Sequence, residues 1–272
     1  MLELYQFELS QFSEKVRLIL DFKGLEYKKI EVTPGIGQLE VFKLSGQRQV
    51  PILKDGDTVI ADSTEIALYL DQKYPEKPLI PADSLLRGQC LLMEGWADEC
   101  LGYKGRKAFI GALNHYPNFR TSFLPKNTPD ILKTFVSAFP SEIFNAIGVG
   151  LTFGFGTDIL KTAEKGLKQD LDALTLILQN QPYLVGDTPT LADLTVAALT
   201  TIIKFPPVTY FDLPIDLEGK GIPGLADNSN YEFFFEWRDR LYTQYRQPVD
   251  KSNSNNFGGG SNDSQPTSIE IE

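Results

Sequence analysis

The chain has 272 residues, of which 42% are hydrophobic and 23% charged, a balance that suits two globular domains sharing an interface. Its net charge of −10 argues against a nucleic-acid partner, because neutralising phosphates needs a surplus of Lys and Arg. A single histidine (His115), two cysteines without a CxxC spacing, and no run of about 20 apolar residues argue against a zinc set, a local disulfide and a transmembrane segment.

In chain order, Leu2 to Phe7 reads as a strand and Ser10 to Lys23 as a helix with Val16, Ile19 and Leu20 on one side, ended by Gly24. Tyr27 to Val32 is a second strand, and Gln38 to Leu44 a looser helix after the turn residues Pro34, Gly35 and Gly37. Two strand-like runs flank Asp55-Gly56-Asp57, the signature of a hairpin, and Asp62-Ser63 opens a helix that reaches Lys73. Residues 1–74 thus have the order strand, helix, strand, helix, strand, strand, helix, a thioredoxin-like layout.

Residues 75–84, proline-rich, read as a linker, and 85–250 as a helical domain. Leu85 to Lys107 is its first long helix and carries both Cys90 and Cys100, whose separation of about three turns keeps the thiols apart. The basic residues Lys104, Arg106 and Lys107 read as a solvated face. Asp158 to Asn180 repeats apolar residues at helical spacing, Thr190 to Lys204 is apolar enough for a central helix, and Tyr231 to Tyr245 is aromatic-rich. Residues 251–272 read as a disordered tail. The expected fold class is α/β plus all-α: a thioredoxin-like N-terminal domain followed by a helical-bundle C-terminal domain. Free thiols and a start without a signal peptide point to a cytoplasmic location.

Three short motifs can carry chemistry. At the first strand-to-helix junction, Ser10-Gln11-Phe12-Ser13 places hydroxyls at a helix N-terminus, where a thiolate is stabilised by unpaired N–H groups and a partial positive charge. Ser10 or Ser13 can equally serve as a plain helix cap. Gln49-Val50-Pro51 precedes the third strand; a cis bond there would leave the Val50 backbone groups free to pair with an extended peptide, whereas a trans proline would simply open an edge strand. Asp62-Ser63 begins the third helix, and suits either an anionic ligand with an adjoining ammonium group or an ordinary cap.

The segments YQFELSQFSEKVRLILDFKGLEYKKIEV, QVPILKDGDTVIADSTEIALYLDQKYP and YLVGDTPTLADLTVAAL together resemble the glutathione transferase superfamily. The likeness is to serine-type members, and to longer cyanobacterial ones with an insertion in the helical domain. It implies an enzyme that uses glutathione as co-substrate and no metal. Ser10 would activate the thiolate for attack on a small hydrophobic electrophile or a peroxide, as in detoxification. It further implies that Gln49 (or Arg48), Val50, Pro51, Asp62 and Ser63 bind glutathione, and that the protein is a homodimer. Against that family, residues at about 104–157 of the 85–250 helical domain look like an insertion; with Phe135, Phe139, Phe144 and Phe153, it would cover an apolar co-substrate pocket or pack outside the bundle. Two other readings stand beside this one: a non-catalytic glutathione- or partner-binding protein, and a glutathione-dependent thiol oxidoreductase. The latter needs a cysteine where Ser10 stands.

Overall fold

The computed structural model describes residues 1–33, 37–123, 129, 131, 157–213 and 217–249. The N-terminal domain runs β1 (Leu2–Gln6), α1 (Gln11–Lys23), β2 (Tyr27–Glu31), α2 (Gln38–Ser45), β3 (Ile52–Asp55), β4 (Thr58–Ala61) and α3 (Ser63–Lys73). The sheet order is β2-β1-β3-β4, with β1 parallel to β2 and both remaining pairs antiparallel. The parallel pair needs a crossover, which α1 provides; the β3–β4 hairpin turns at Gly56, whose φ of 60° favours glycine. Gly24, at φ 71°, ends α1 by returning its N–H to Leu20 and Asp21.

The segment after α3 is held closely. Asp71 accepts the Leu79 N–H at 2.7 Å and pairs with Lys23, whose ammonium also donates to the carbonyls of Tyr74 and Lys77. Leu79 is buried, and its carbonyl accepts the Leu191 N–H, stitching the connection to the second domain.

The helical domain opens with α4 (Ser84–Trp96), a π-helical turn (Ala97–Leu101) and α5 (Gly102–His115) in one run, followed by α6 (Pro117–Thr121). The helix runs on to His115, past Lys107, where the sequence pattern ends it. The buried face of α5 is made of Gly102, Gly105, Ala108 and Ala112, small residues that let neighbouring chains come close. A Cβ at Gly102 would lie 3.0 Å from the Gln11 amide nitrogen and 3.2 Å from Phe12. Residues 132–156, with Phe135, Phe139, Phe144 and Phe153, and the tail from 250 onward lie outside the described residues.

α7 (Thr157–Leu178) buries Ala163, Leu167, Leu171, Leu174 and Leu178, the expected stripe. α8 (Leu191–Leu199) is buried at every position and packs against α1, α4 and the π turn; α9 (Glu232–Tyr245) closes the bundle. One apolar core runs through both domains. The capping box at α8 is complete: Asp193 accepts from the Thr190 N–H and hydroxyl, each at 2.8 Å, and from the Leu184 N–H at 2.6 Å. Burial nonetheless pushes its carboxyl up to about 6, against the pull of those bonds. No helix among the described residues is long and apolar enough to cross a membrane.

Candidate functional site

Strand register brings the three motifs to one edge. Tyr5, near the end of β1, pairs with Ile52 at the start of β3, and Ile52 pairs with Ala61 at the end of β4. The residues after β1, before β3 and after β4 therefore leave the sheet on the same side. These are Ser10, Gln49-Val50-Pro51 and Asp62-Ser63.

Ser10 is the N-cap of α1, with extended backbone (φ −76°, ψ 111°), and its Oγ accepts the Ser13 N–H at 3.2 Å. A hydroxyl has one proton and two lone pairs, so this bond leaves the proton available to an incoming acceptor. Capping and thiolate stabilisation are thus compatible uses of one group. Ser13 is fully buried and its hydroxyl has no partner among the described residues. Ser10 also borders a cavity of about 10 Å³ with Leu9, Thr201, Ile202, Phe205 and Phe211, room for about one water.

The Val50–Pro51 bond is cis, with Val50 half-buried and Pro51 buried. Gln49 and Arg48 are exposed, and the Arg48 guanidinium lies 5.6 Å from the Phe42 ring centre. Asp62 is exposed at φ 80°, and its Oδ1 accepts the N–H groups of Thr64 at 2.8 Å and Glu65 at 3.2 Å. That oxygen is occupied as a cap. Ser63 is buried and donates to Asp98 Oδ1 across the domain boundary at 3.3 Å.

Two buried ionic clusters under this edge were not legible from sequence. In the first, Lys15 contacts Glu94 at 2.6 Å, Asp98 at 2.7 Å and Thr64 at 2.9 Å. In the second, Arg17 pairs with Glu14 at 2.5 Å and Glu8 at 3.0 Å, while Arg246 pairs with Glu14 at 2.9 Å and Asp21 at 2.5 Å. Burial alone would raise the Glu14 carboxyl, but the Arg246 and Arg17 guanidinia override it and hold the group below its ordinary value. Glu8 is lowered in the same way, by Arg17 and Lys29 against burial. The one available signal was the charged triplet Glu14, Lys15, Arg17 in a helix flanked by apolar runs, which reads as a solvated face until both domains are seen to enclose α1.

The basic residues of α5 are also engaged rather than displayed as a free patch. Lys104 pairs with Asp170 at 2.7 Å, Arg106 lies 5.1 Å from the Phe12 ring centre, and Lys107 lies 3.9 Å from that of Tyr103. Cys90 is buried and Cys100 exposed, neither in a disulfide.

Comparison with known proteins agrees with this architecture. Residues 4–78 match the glutathione S-transferase N-terminal domain family, and residues 129–212 match the glutathione S-transferase C-terminal domain family. Glutathione S-transferase 1 of Dianthus caryophyllus is 45% identical over 85 residues, 30% of this chain and 38% of that protein. The zeta-class enzyme of Euphorbia esula is 42% identical over the same shares, and a stringent starvation protein A homolog of Haemophilus ducreyi is 33% identical over 81 residues, 30% of this chain and 38% of its own. The matched stretch thus spans well under half the length of these curated relatives. Among solved structures, the beta-etherase of Sphingobium sp. strain SYK-6 shares the fold with a TM-score of 0.64 at 22% identity, over 89% of this chain and 94% of that one. The theta-class glutathione S-transferase of Xanthomonas axonopodis pv. citri, with glutathione bound, does so with a TM-score of 0.58 at 18% identity, over 91% and 98%. The two domain families together span more than half of the chain in the order the fold requires, and the chain belongs to the glutathione transferase superfamily.

Proposed function

We propose that the protein is a serine-type glutathione transferase. The observation that carries this reading is the shared sheet edge, which gathers Ser10, Val50-Pro51 and Asp62-Ser63 from distant parts of the sequence. Glutathione would lie along that edge as an extended peptide, its cysteinyl backbone against Val50 and Pro51 and its γ-glutamyl end at Ser63 and Asp62. Gln49 and Arg48, both exposed, would face the glycyl end.

Ser10 would donate its free proton to the sulfur while still accepting the Ser13 N–H, and the N-terminus of α1 adds its partial positive charge. The thiolate then attacks a hydrophobic electrophile or a peroxide. No protein group forms a covalent bond, so the acceleration comes from the thiolate and its positioning. Detoxification in the cytoplasm and a homodimer are the corresponding setting. An apolar groove of about 640 Å³ between α4 and the end of α7, lined by Leu92, Met93, Trp96, Ile177, Leu184 and Val185, supports the dimer.

The test compares wild type with Ser10→Ala by calorimetric glutathione binding, thiolate absorbance against pH, and turnover. In the wild type the bound thiol should ionise well below its free value of about 8.5. In Ser10→Ala the affinity should stay within about threefold while turnover falls about 10- to 100-fold, the scale of one lost donor to a developing anion. Unchanged turnover rejects the role of Ser10. Ser10 is already engaged as the N-cap of α1, and a serine that only caps leaves a second reading, a non-catalytic glutathione-binding protein of this fold. Glutathione binding without any thiol shift would select it.

A further inference from the structure

We propose that Lys15 is the positioning residue of the γ-glutamyl subsite, its buried ammonium tying the first turn of α3 to the helical domain so that Ser63 stays in its binding position. The inference rests on the glutathione reading above.

The geometry is specific. Lys15 is fully buried, and the three protons of its ammonium match three acceptors: Glu94 Oε1 at 2.6 Å, Asp98 Oδ1 at 2.7 Å and Thr64 Oγ1 at 2.9 Å. Thr64 in turn donates to Glu94 at 2.7 Å, and Ser63 donates to Asp98 at 3.3 Å. Both side chains of the first turn of α3 are thus fastened to carboxylates of α4 and the π turn through one cation on α1. Three elements from two domains meet at a single nitrogen.

Stability alone is a poor explanation. A buried ion pair costs about as much to desolvate as it returns, and well-packed apolar residues of equal size often do as well; what such pairs add is a defined arrangement. Here the arrangement being defined is the place of Ser63. Among the described residues, the ion pairs of the other buried cluster, around Glu14 and Arg246, join Glu8, Arg17 and Asp21 rather than residues of α3.

Without Lys15, two carboxylates would face each other over Thr64. The other charges around them do not replace it. Glu14, on the same helix, is engaged by Arg17 and Arg246; Asp62 and Glu65 on α3 are exposed. Asp193 of α8 is held in its capping box, and Arg106 of α5 acts on Asp98 only through space, beside Tyr103. In that variant, two like charges sharing a site favour proton uptake by one of them as the pH falls.

The experiment compares wild type, Lys15→Met and Lys15→Met/Glu94→Gln. Each is examined for amide hydrogen exchange at Thr64, Glu65 and Ile66 without ligand, and for glutathione dissociation constant by calorimetry from pH 5 to 8. Lys15→Met should exchange these amides about tenfold faster and bind glutathione about tenfold more weakly at pH 8, the scale of one lost charged hydrogen bond. Its affinity should recover toward pH 5, well below the pH at which the ligand's own thiol titrates, about 8.5. In the double variant the side-chain amide that replaces the Glu94 carboxylate can donate to Asp98 and accept from Thr64, so exchange and affinity should return to within about threefold of wild type and lose their pH dependence. If Lys15→Met does not fold, the double variant decides: near-wild-type affinity supports the inference, and weak binding at every pH overturns it. Folded Lys15→Met with wild-type exchange and a flat affinity profile overturns it while the glutathione reading stands. A wild type that fails to bind glutathione overturns both.

Discussion

A hydroxyl at a helix start serves more than one partner, and Ser10 is the case in point. Its lone pair receives the Ser13 N–H, which any N-cap serine would do, and its proton stays available for a sulfur. The same economy holds for Arg246, which reaches from beyond the last helix to Glu14 and Asp21 on α1. Glu14 lies between Arg17 and Arg246, fully enclosed. Replacing Arg246 with Met leaves Asp21 without its buried cation and Glu14 with one of two. We expect a loss of about 3–5 kcal/mol in urea unfolding, the usual consequence of breaking a buried ionic pair from one side. Ser10 was readable from its place after the first strand. Glu14, Lys15 and Arg17 were not, because a charged triplet in a helix looks solvated until the tertiary structure shows what covers it.

Among the helices, α8 shows how a short sequence signal survives into the fold. Thr190 and Asp193 stand at capping-box spacing, and the box forms, with the Leu184 N–H as an added donor. Asp193→Asn must turn an amide donor toward one of these donors and should cost about 1–3 kcal/mol in chemical denaturation. The cost should be larger at pH 5 than at pH 8. Burial lifts the wild-type carboxyl to about 6, so its stabilising contribution is complete below its unfolded value of 3.8 and diminishes as pH rises through about 6. The long helix from α4 through α5 shows the opposite outcome. Its continuation past Lys107 relies on Gly102, Gly105, Ala108 and Ala112, small residues that contribute little to an apolar pattern and a great deal to close packing.

For the molecule as a whole, the chain returns at Arg246 to the helix with which its first domain begins, so the two domains share charge as well as core. Glu8 and Glu14 are both held below their ordinary 4.5. Their contribution is therefore complete above that value and is lost as pH falls through the lower folded values. Thermal unfolding followed from pH 7 downward should show the melting temperature dropping below about pH 4.5, and less steeply in Arg246→Met, where Glu14 is less depressed. The proposed homodimer can be tested at Leu92, which lines the apolar groove and is 77% exposed. Leu92→Glu should convert dimers to monomers in light scattering without loss of helical content, because a charge in a closed apolar contact is left unpaired. By itself, the order of strands, helices and turn residues determined the two-domain fold, the capping box and the positions where Ser10, Val50-Pro51 and Asp62-Ser63 would stand, since these follow from local periodicity and turn chemistry. Only the tertiary structure decided that Asp62 Oδ1 is taken up as a cap, that Ser63 is joined to Asp98, and that Lys15 lies beneath them. The cap is local, but the pairings of Ser63 and Lys15 span 35 to 83 residues of chain, and no local pattern encodes which charges will be enclosed together.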